Sequence, residues 1–233
     1  MTATTAERAP RSIAQRILLA TGFAGVLFIG AFVVLGALAP GYDPARETIS
    51  ALEFTPLSMA QRINFFGFGL LLCTFAVALR RELWPYRHAT VIPAFQLLSG
   101  LGVIGDAIFI HFPGHLVCVL VAFLSTLIVL CGFALHFRRL DQWRGWSAYS
   151  VVTAVLMMVL LTAFGYANHA GGPAGLMEKS ATGVRTLWSV LFAWKLLRGA
   201  RIDLPFAWPG HAEMQRADRG PTEPHPLGLN EGD

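Results

Sequence analysis

The sequence predicts an all-α polytopic membrane protein: six transmembrane helices, both termini cytoplasmic, and a short amphipathic helix in the first extracytoplasmic loop. Three observations predict it. Of the 233 residues, 55% are apolar and 14% charged, with mean hydropathy +0.55, a balance on the membrane side of soluble composition. The apolar residues gather into six blocks close to the roughly 20 residues that carry a helix across a bilayer. The basic residues, finally, alternate from loop to loop.

The blocks fall at about 17–39, 62–80, 91–112, 115–137, 147–167 and 173–197. Backbone in hydrocarbon must satisfy its own hydrogen bonds, so these are helices. They lack the period-two alternation of a membrane β-barrel. Residues 1–16 precede the first block as a cytoplasmic segment. Arg8, Arg11 and Arg16, the apolar run and Ala37-Leu38-Ala39 together resemble a signal peptide. The run exceeds the ~7–15 residues of a signal core, and Pro40 would follow the cut, so the reading is an uncleaved first helix.

Loop charge sets the orientation. Arg8, Arg11 and Arg16 lie before helix one, Arg80, Arg81 and Arg87 in the second loop, and Arg138, Arg139 and Arg144 in the fourth. Lys195, Arg198, Arg201, Arg216 and Arg219 lie at the C-terminal end. These are 14 of the 18 lysines and arginines; only Arg46, Arg62, Lys179 and Arg185 belong to the other side. Cationic loops stay in the cytoplasm, and consistency in every loop requires an even number of crossings.

The first loop departs from the short connections elsewhere. Asp43-Pro44 reads as a helix start, an N-cap oxygen followed by proline. Ala45, Ile49 and Leu52 then share one face and Arg46, Ser50 and Glu53 another, an amphipathic helix lying on the membrane or capping the bundle. Beyond about Gly199 the composition turns to proline, glycine and charge, so residues 199–233 read as a disordered cytoplasmic tail. Cys73, Cys118 and Cys131 lie within apolar blocks without metal spacing and read as small buried residues. The net charge of +4 sits in topology-setting loops, and no basic groove suggests nucleic acid.

Two stretches carry a family resemblance. Tyr42-Asp43-Pro44, followed by Thr48-Ile49-Ser50-Ala51-Leu52-Glu53, comes after the first helix. Gly175-Leu176-Met177-Glu178-Lys179 leads to Leu187-Trp188 in the last. Together, and with the helix order over about 17–197, they resemble the domain-of-unknown-function family 998, six-helix membrane proteins common in actinobacteria. The resemblance implies the fold and a membrane location and no activity. The family often has an "F-P-x-D" element after the third helix; Phe112-Pro113-Gly114-His115 keeps Phe-Pro and lacks the acid.

Candidate site residues collect on the outer side. Asp106 lies in the third helix, where an acid costs up to roughly 2.5–3.5 kcal/mol on insertion scales. Glu178, Thr182 and Arg185 share a face of the last helix at i, i+4 and i+7. Asp106 and Arg185 form either an internal ion pair or hydrogen-bond network, or a polar pocket for a lipid headgroup or ion. Asp43, Arg46 and Glu47 of the first loop complete the ligand-binding set. His111, His115 and His169 form a candidate metal group able to activate water. Pro113-Gly114 interrupts the helical spacing of the first two. Ser50 lacks the G-x-S-x-G of a nucleophile elbow. Gln96 and Ser99 read as helix bridges, the glycines at 100, 102 and 105 as points of close approach, and Trp84, Trp143 and Trp146 as interfacial belt residues.

Three functional classes follow. The first is a non-enzymatic plasma-membrane protein with an outward-facing pocket for a lipid headgroup or small ligand, or an accessory subunit. The second is a small-solute transporter, against which stands the absence of an inverted repeat. The third is an outer-leaflet metal-dependent hydrolase, which needs the histidines to converge. No cofactor is expected.

Overall fold

The computed structural model describes residues 10–83, 90–138 and 140–202. The chain divides into one unit over Met1–Ile202 and another over Asp203–Asp233. The disordered tail expected at 199–233 lies outside the described residues from 203 onward, as do Arg8, Trp84, Arg87 and Arg139.

The described residues form seven α-helices and no strand: α1 Ile13–Ala20, α2 Ala24–Leu38, α3 Ser58–Glu82, α4 Val91–Phe109, α5 Gly114–Phe137, α6 Trp146–Ala170 and α7 Ala174–Leu197. A 3-10 turn, Thr21–Phe23, joins α1 to α2, and the two form the first apolar block. That block begins at Ile13 rather than 17, because Ser12 caps it by accepting the Gln15 N–H at 3.2 Å. Glycine keeps the turn close to its neighbours. A Cβ on Gly22 would stand 2.6 Å from Cβ of Ala193.

Among the described residues five stretches are long and apolar enough to cross a membrane: Ile13–Leu38 and helices α3, α4, α5 and α6. α7 is as long but carries Glu178, Lys179, Arg185 and Lys195. It turns Glu178 and Arg185 inward, where they are buried, which is how so polar a helix fits among apolar ones. From α2 to α7 the helices pack in chain order, and α7 returns to α2, closing a ring; α1 packs on α3 and α7. The outer wall is apolar. Leu27, Val34, Ile63, Leu101, Val152 and Val159 are all exposed, a continuous greasy surface suited to lipid rather than water.

Two seams of the ring are set by glycine. A Cβ on Gly100 would stand 2.8 Å from the Gly69 carbonyl, and one on Gly69 would stand 2.8 Å from that of Gly100. Gly102 and Gly105 similarly admit α5, with the Ala122 amide 2.8 Å from the site of a Gly102 Cβ. Backbones this close gain dispersion and exclude any side chain between them. Gly100→Val is expected to separate α3 from α4 and to cost about 1–3 kcal/mol, checked by denaturation in detergent.

The end of the bundle that carries Arg11 and Ile202 is closed by aromatic packing. Phe137, Trp146 and Phe192 pack around Trp143, whose ring stacks on Phe137 at 4.4 Å, and Phe133 and Trp188 extend the cluster. Trp143 is fully buried and donates its indole N–H to the Arg201 carbonyl at 2.7 Å. It is therefore a core residue and not part of an interfacial belt. Beside it, Arg11 donates to both oxygens of Glu82 at 2.7 Å and to the carbonyls of Leu196 and Ala200. Gln15 adds a bond to Glu82 at 2.9 Å. This buried clamp ties the first helix to the ends of α3 and α7.

Candidate functional site

The first loop does not form the continuous amphipathic helix expected of it. It makes a single turn at 44–46 and a 3-10 helix, Ser50–Phe54. Asp43 does cap the turn: its Oδ1 accepts from Ala45 N at 2.9 Å, while its own N–H is taken by Glu47 Oε2 at 2.7 Å. Thr48 then turns the chain, its Oγ1 accepting from Ala51 N at 3.2 Å, and the next helix starts after Ile49 with no side-chain cap. Ile49, Leu52 and Glu53 are buried. The segment is a cap on the bundle, not a helix lying on the bilayer.

What holds the cap is the start of α7. No side chain caps that helix, whose N-cap is Pro173, so its first N–H groups need acceptors. Gly175 N donates to the Arg46 carbonyl at 3.1 Å and Leu176 N to that of Ala45 at 2.9 Å. Ile49 N donates to Glu178 Oε2 at 2.7 Å, and Lys179 Nζ donates to the Glu47 carbonyl at 2.7 Å. A Cβ on Gly175 would collide with the Glu47 carbonyl, so only glycine admits the loop. Tyr42 braces the loop from within, its hydroxyl donating to the Thr48 carbonyl at 3.0 Å. Burial, and then the carboxylates of Glu178, Glu47 and Asp43, raise the pKa of that phenol. The Asp43–Arg46 pair, 3.9 Å apart and largely exposed, contributes little.

Beneath the cap lies a cavity of about 40 Å³, room for a few waters or a small polar group. Glu178, Thr182 and Arg185 of α7 and Asp106 of α4 supply its polar wall; Ile49 forms part of the roof. Phe28, Phe65, Phe68 and Phe123 make most of the rest apolar. Asp106 and Arg185 thus share one cavity, but they are not an ion pair. Asp106 Oδ1 lies 2.6 Å from Nδ1 of His115. Arg185 donates through Nη2 to Ser99 Oγ at 3.2 Å and stacks on the Phe68 ring at 5.4 Å. Ser99 also sits 3.0 Å from both the Ala122 carbonyl and the Thr126 hydroxyl, so it bridges α4, α5 and α7 as its type suggested. Among the described residues the buried Gln96 amide nitrogen has no hydrogen-bond partner.

Arg185 stands eleven residues into α7, about 16 Å along the axis. Among the described residues no carboxylate lies within 4.0 Å of it. A buried guanidinium without a counter-ion is costly in a low-dielectric interior. The ring π-face and hydroxyl offset part of that cost.

The three histidines do not converge. Among the described residues no group of three or more histidine, cysteine, aspartate or glutamate side chains can hold a metal. His115 pairs with Asp106. His111 meets Arg62 Nη2 at 3.4 Å and the edge of Phe54, while His169 is exposed at the end of α6. Arg62 also pairs with Glu53 at 3.2 Å. Burial raises the Glu53 carboxyl pKa, against the pull of Arg62.

A ring of long apolar helices around a buried polar cavity defines an integral-membrane-type helical bundle. The chain belongs to the family described as protein of unknown function (DUF998), which it matches over residues 3–195. Among curated proteins and solved structures, nothing matches it. The two stretches that resembled that family prove to be contact partners: the first loop and the start of α7 dock on each other.

Proposed function

We propose that the chain is a six-span plasma-membrane protein, both termini cytoplasmic, that binds a lipid headgroup or small polar ligand in an outward-facing cavity without catalysing a reaction. The sixth span in this reading is α7, whose charges turn inward, and the arginine-rich ends lie in the cytoplasm. The observation that carries the ligand reading is Arg185, buried at mid-helix beside the cavity with no carboxylate in ion-pair range among the described residues. An interior held apolar except for Arg185, Thr182, Glu178 and Asp106 suits recognition by a few placed polar groups. The first loop covers this cavity, so exchange requires the loop to lift. The hydrolase alternative loses its support with the dispersed histidines.

Native mass spectrometry of the protein, extracted in mild detergent from its own membrane, tests this. The expected result is a population carrying one adduct of defined mass, displaced when Arg185 is replaced by glutamine. A protein that is bare under all extraction conditions counts against the proposal.

A further inference from the structure

Resting on that reading, the cavity's charge arrangement points to the chemical class of the ligand. Its polar groups are ordered along α7. Glu178 stands at the roof and Arg185 seven residues deeper, a separation of about 10 Å by helical rise. Thr182 lies between them. Asp106 shares the cavity, its Oδ1 lying 2.6 Å from His115. Glu178 commits one oxygen, Oε2, to Ile49 N.

The geometry points to a dipolar ligand: a small group with an oxyanion seated on the Arg185 guanidinium and an ammonium directed at Glu178, as in phosphoethanolamine, which outsizes the cavity's about 40 Å³ and is held only with the first loop lifted. The deep cation selects the anionic end. Arg185 spends one donor on Ser99, and a guanidinium has further N–H groups arranged to meet two oxygens of one phosphate or carboxylate. The outer carboxylate selects the cationic end and disfavours a purely anionic group, whose remaining charge would face Glu178 unpaired. A purely cationic ligand fails at the other end, since it would bring a second positive charge towards Arg185. Thr182 offers a hydroxyl to the linker between the two ends.

The same chemistry is carried by the headgroup of phosphatidylethanolamine or by a free solute, and the experiment separates them. The full-length protein, in detergent, is offered equimolar phosphatidylethanolamine and phosphatidylglycerol, and bound lipid is read by native mass spectrometry. A parallel sample is offered free phosphoethanolamine. The wild type is expected to retain the ethanolamine lipid in preference. Displacement of that lipid by phosphoethanolamine, or binding of the solute alone, assigns a soluble source; indifference to the solute assigns the lipid.

Arg185→Gln is expected to weaken retention of either form about tenfold or more, with Arg185→Lys recovering part of it. Glu178→Gln is expected to abolish the preference while leaving phosphatidylglycerol bound. Wild-type protein that holds phosphatidylglycerol as well as phosphatidylethanolamine overturns the dipolar assignment and leaves a ligand cavity standing. A cavity that holds neither lipid nor solute, in protein that also carries no adduct from its own membrane, overturns the ligand reading as well. Should Arg185→Gln not fold, the wild-type preference and the Glu178→Gln protein decide the matter.

Discussion

Glu82→Ala is expected to be among the most destabilising single substitutions in the chain, costing about 3–5 kcal/mol. The Arg11 and Glu82 side chains are only 6% and 4% exposed, so removing the carboxylate strands a buried guanidinium. Two of its four bonds go with Glu82. The two to Leu196 and Ala200 satisfy donors but not charge. The loss is in the unpaired partner rather than in the net worth of the pair. A double replacement, Arg11→Met with Glu82→Leu, is therefore expected to restore most of the stability. Denaturation of both proteins in the same detergent checks this; a double variant no better than Glu82→Ala refutes it.

Gly175→Ala poses two opposing effects whose magnitudes decide the sign. Alanine is the better helix former by about 1 kcal/mol, and in isolation the change stabilises α7. The added Cβ, however, is driven into the Glu47 carbonyl. Relief requires the loop to move, and with it the bonds from Gly175, Leu176 and Lys179 and the Ile49–Glu178 contact. At about 0.5–1.5 kcal/mol each, their combined loss outweighs the propensity gain. The expected net is about 1–5 kcal/mol of destabilisation and an undocked loop. A cysteine at Ile49, 2% exposed in the native protein, reports the second part: its labelling rate by a water-soluble maleimide rises in Gly175→Ala. Unchanged labelling sinks the prediction.

The helices were legible because each is written in consecutive residues. A run such as that from Gly114 to Phe137 needs no knowledge of its neighbours to be recognised as a span-length helix. Gly100, Gly102 and Gly105 announced close packing for the same reason, since absence of a side chain is a local fact. Partnerships are different. Asp106 was visible as an intramembrane acid, but its choice of His115 over Arg185 depends on how α4 and α5 rotate about their turn. That rotation is set by packing at Gly102 and Gly105 rather than by polarity.

The first loop misled for a related reason. Asp43-Pro44 is a sound helix start, but Thr48, five residues after Asp43, takes the Ala51 N–H on its side chain and turns the chain, so the first helix stops after one turn. Arg11 read as a topology signal, which its position before the first helix justified. Its clamp on Glu82 needed the knowledge that residues 71 positions apart meet. The one sequence signal for that contact is an acid, Glu82, closing an apolar helix. Arg185 and Glu178 were found by being out of place in an apolar helix, and that signal led to the cavity.

The ring closure also bears on how the protein is made. The described helix least able to enter a membrane by its own apolarity is α7, which leaves a ribosome after the other six. Everything that makes its polar face tolerable is upstream: Ser99 and Phe68 for Arg185, the amide of Ile49 for Glu178, the backbone of Ala45 and Arg46 for its first turn. In the six-span reading proposed above, insertion of α7 is thus conditional on an assembled template of the five apolar stretches before it. Until it arrives, the first helix has one flank open and Arg11 lacks its carbonyl partners. The nascent chain waits half-built, and its final helix works as the keystone that commits the whole bundle.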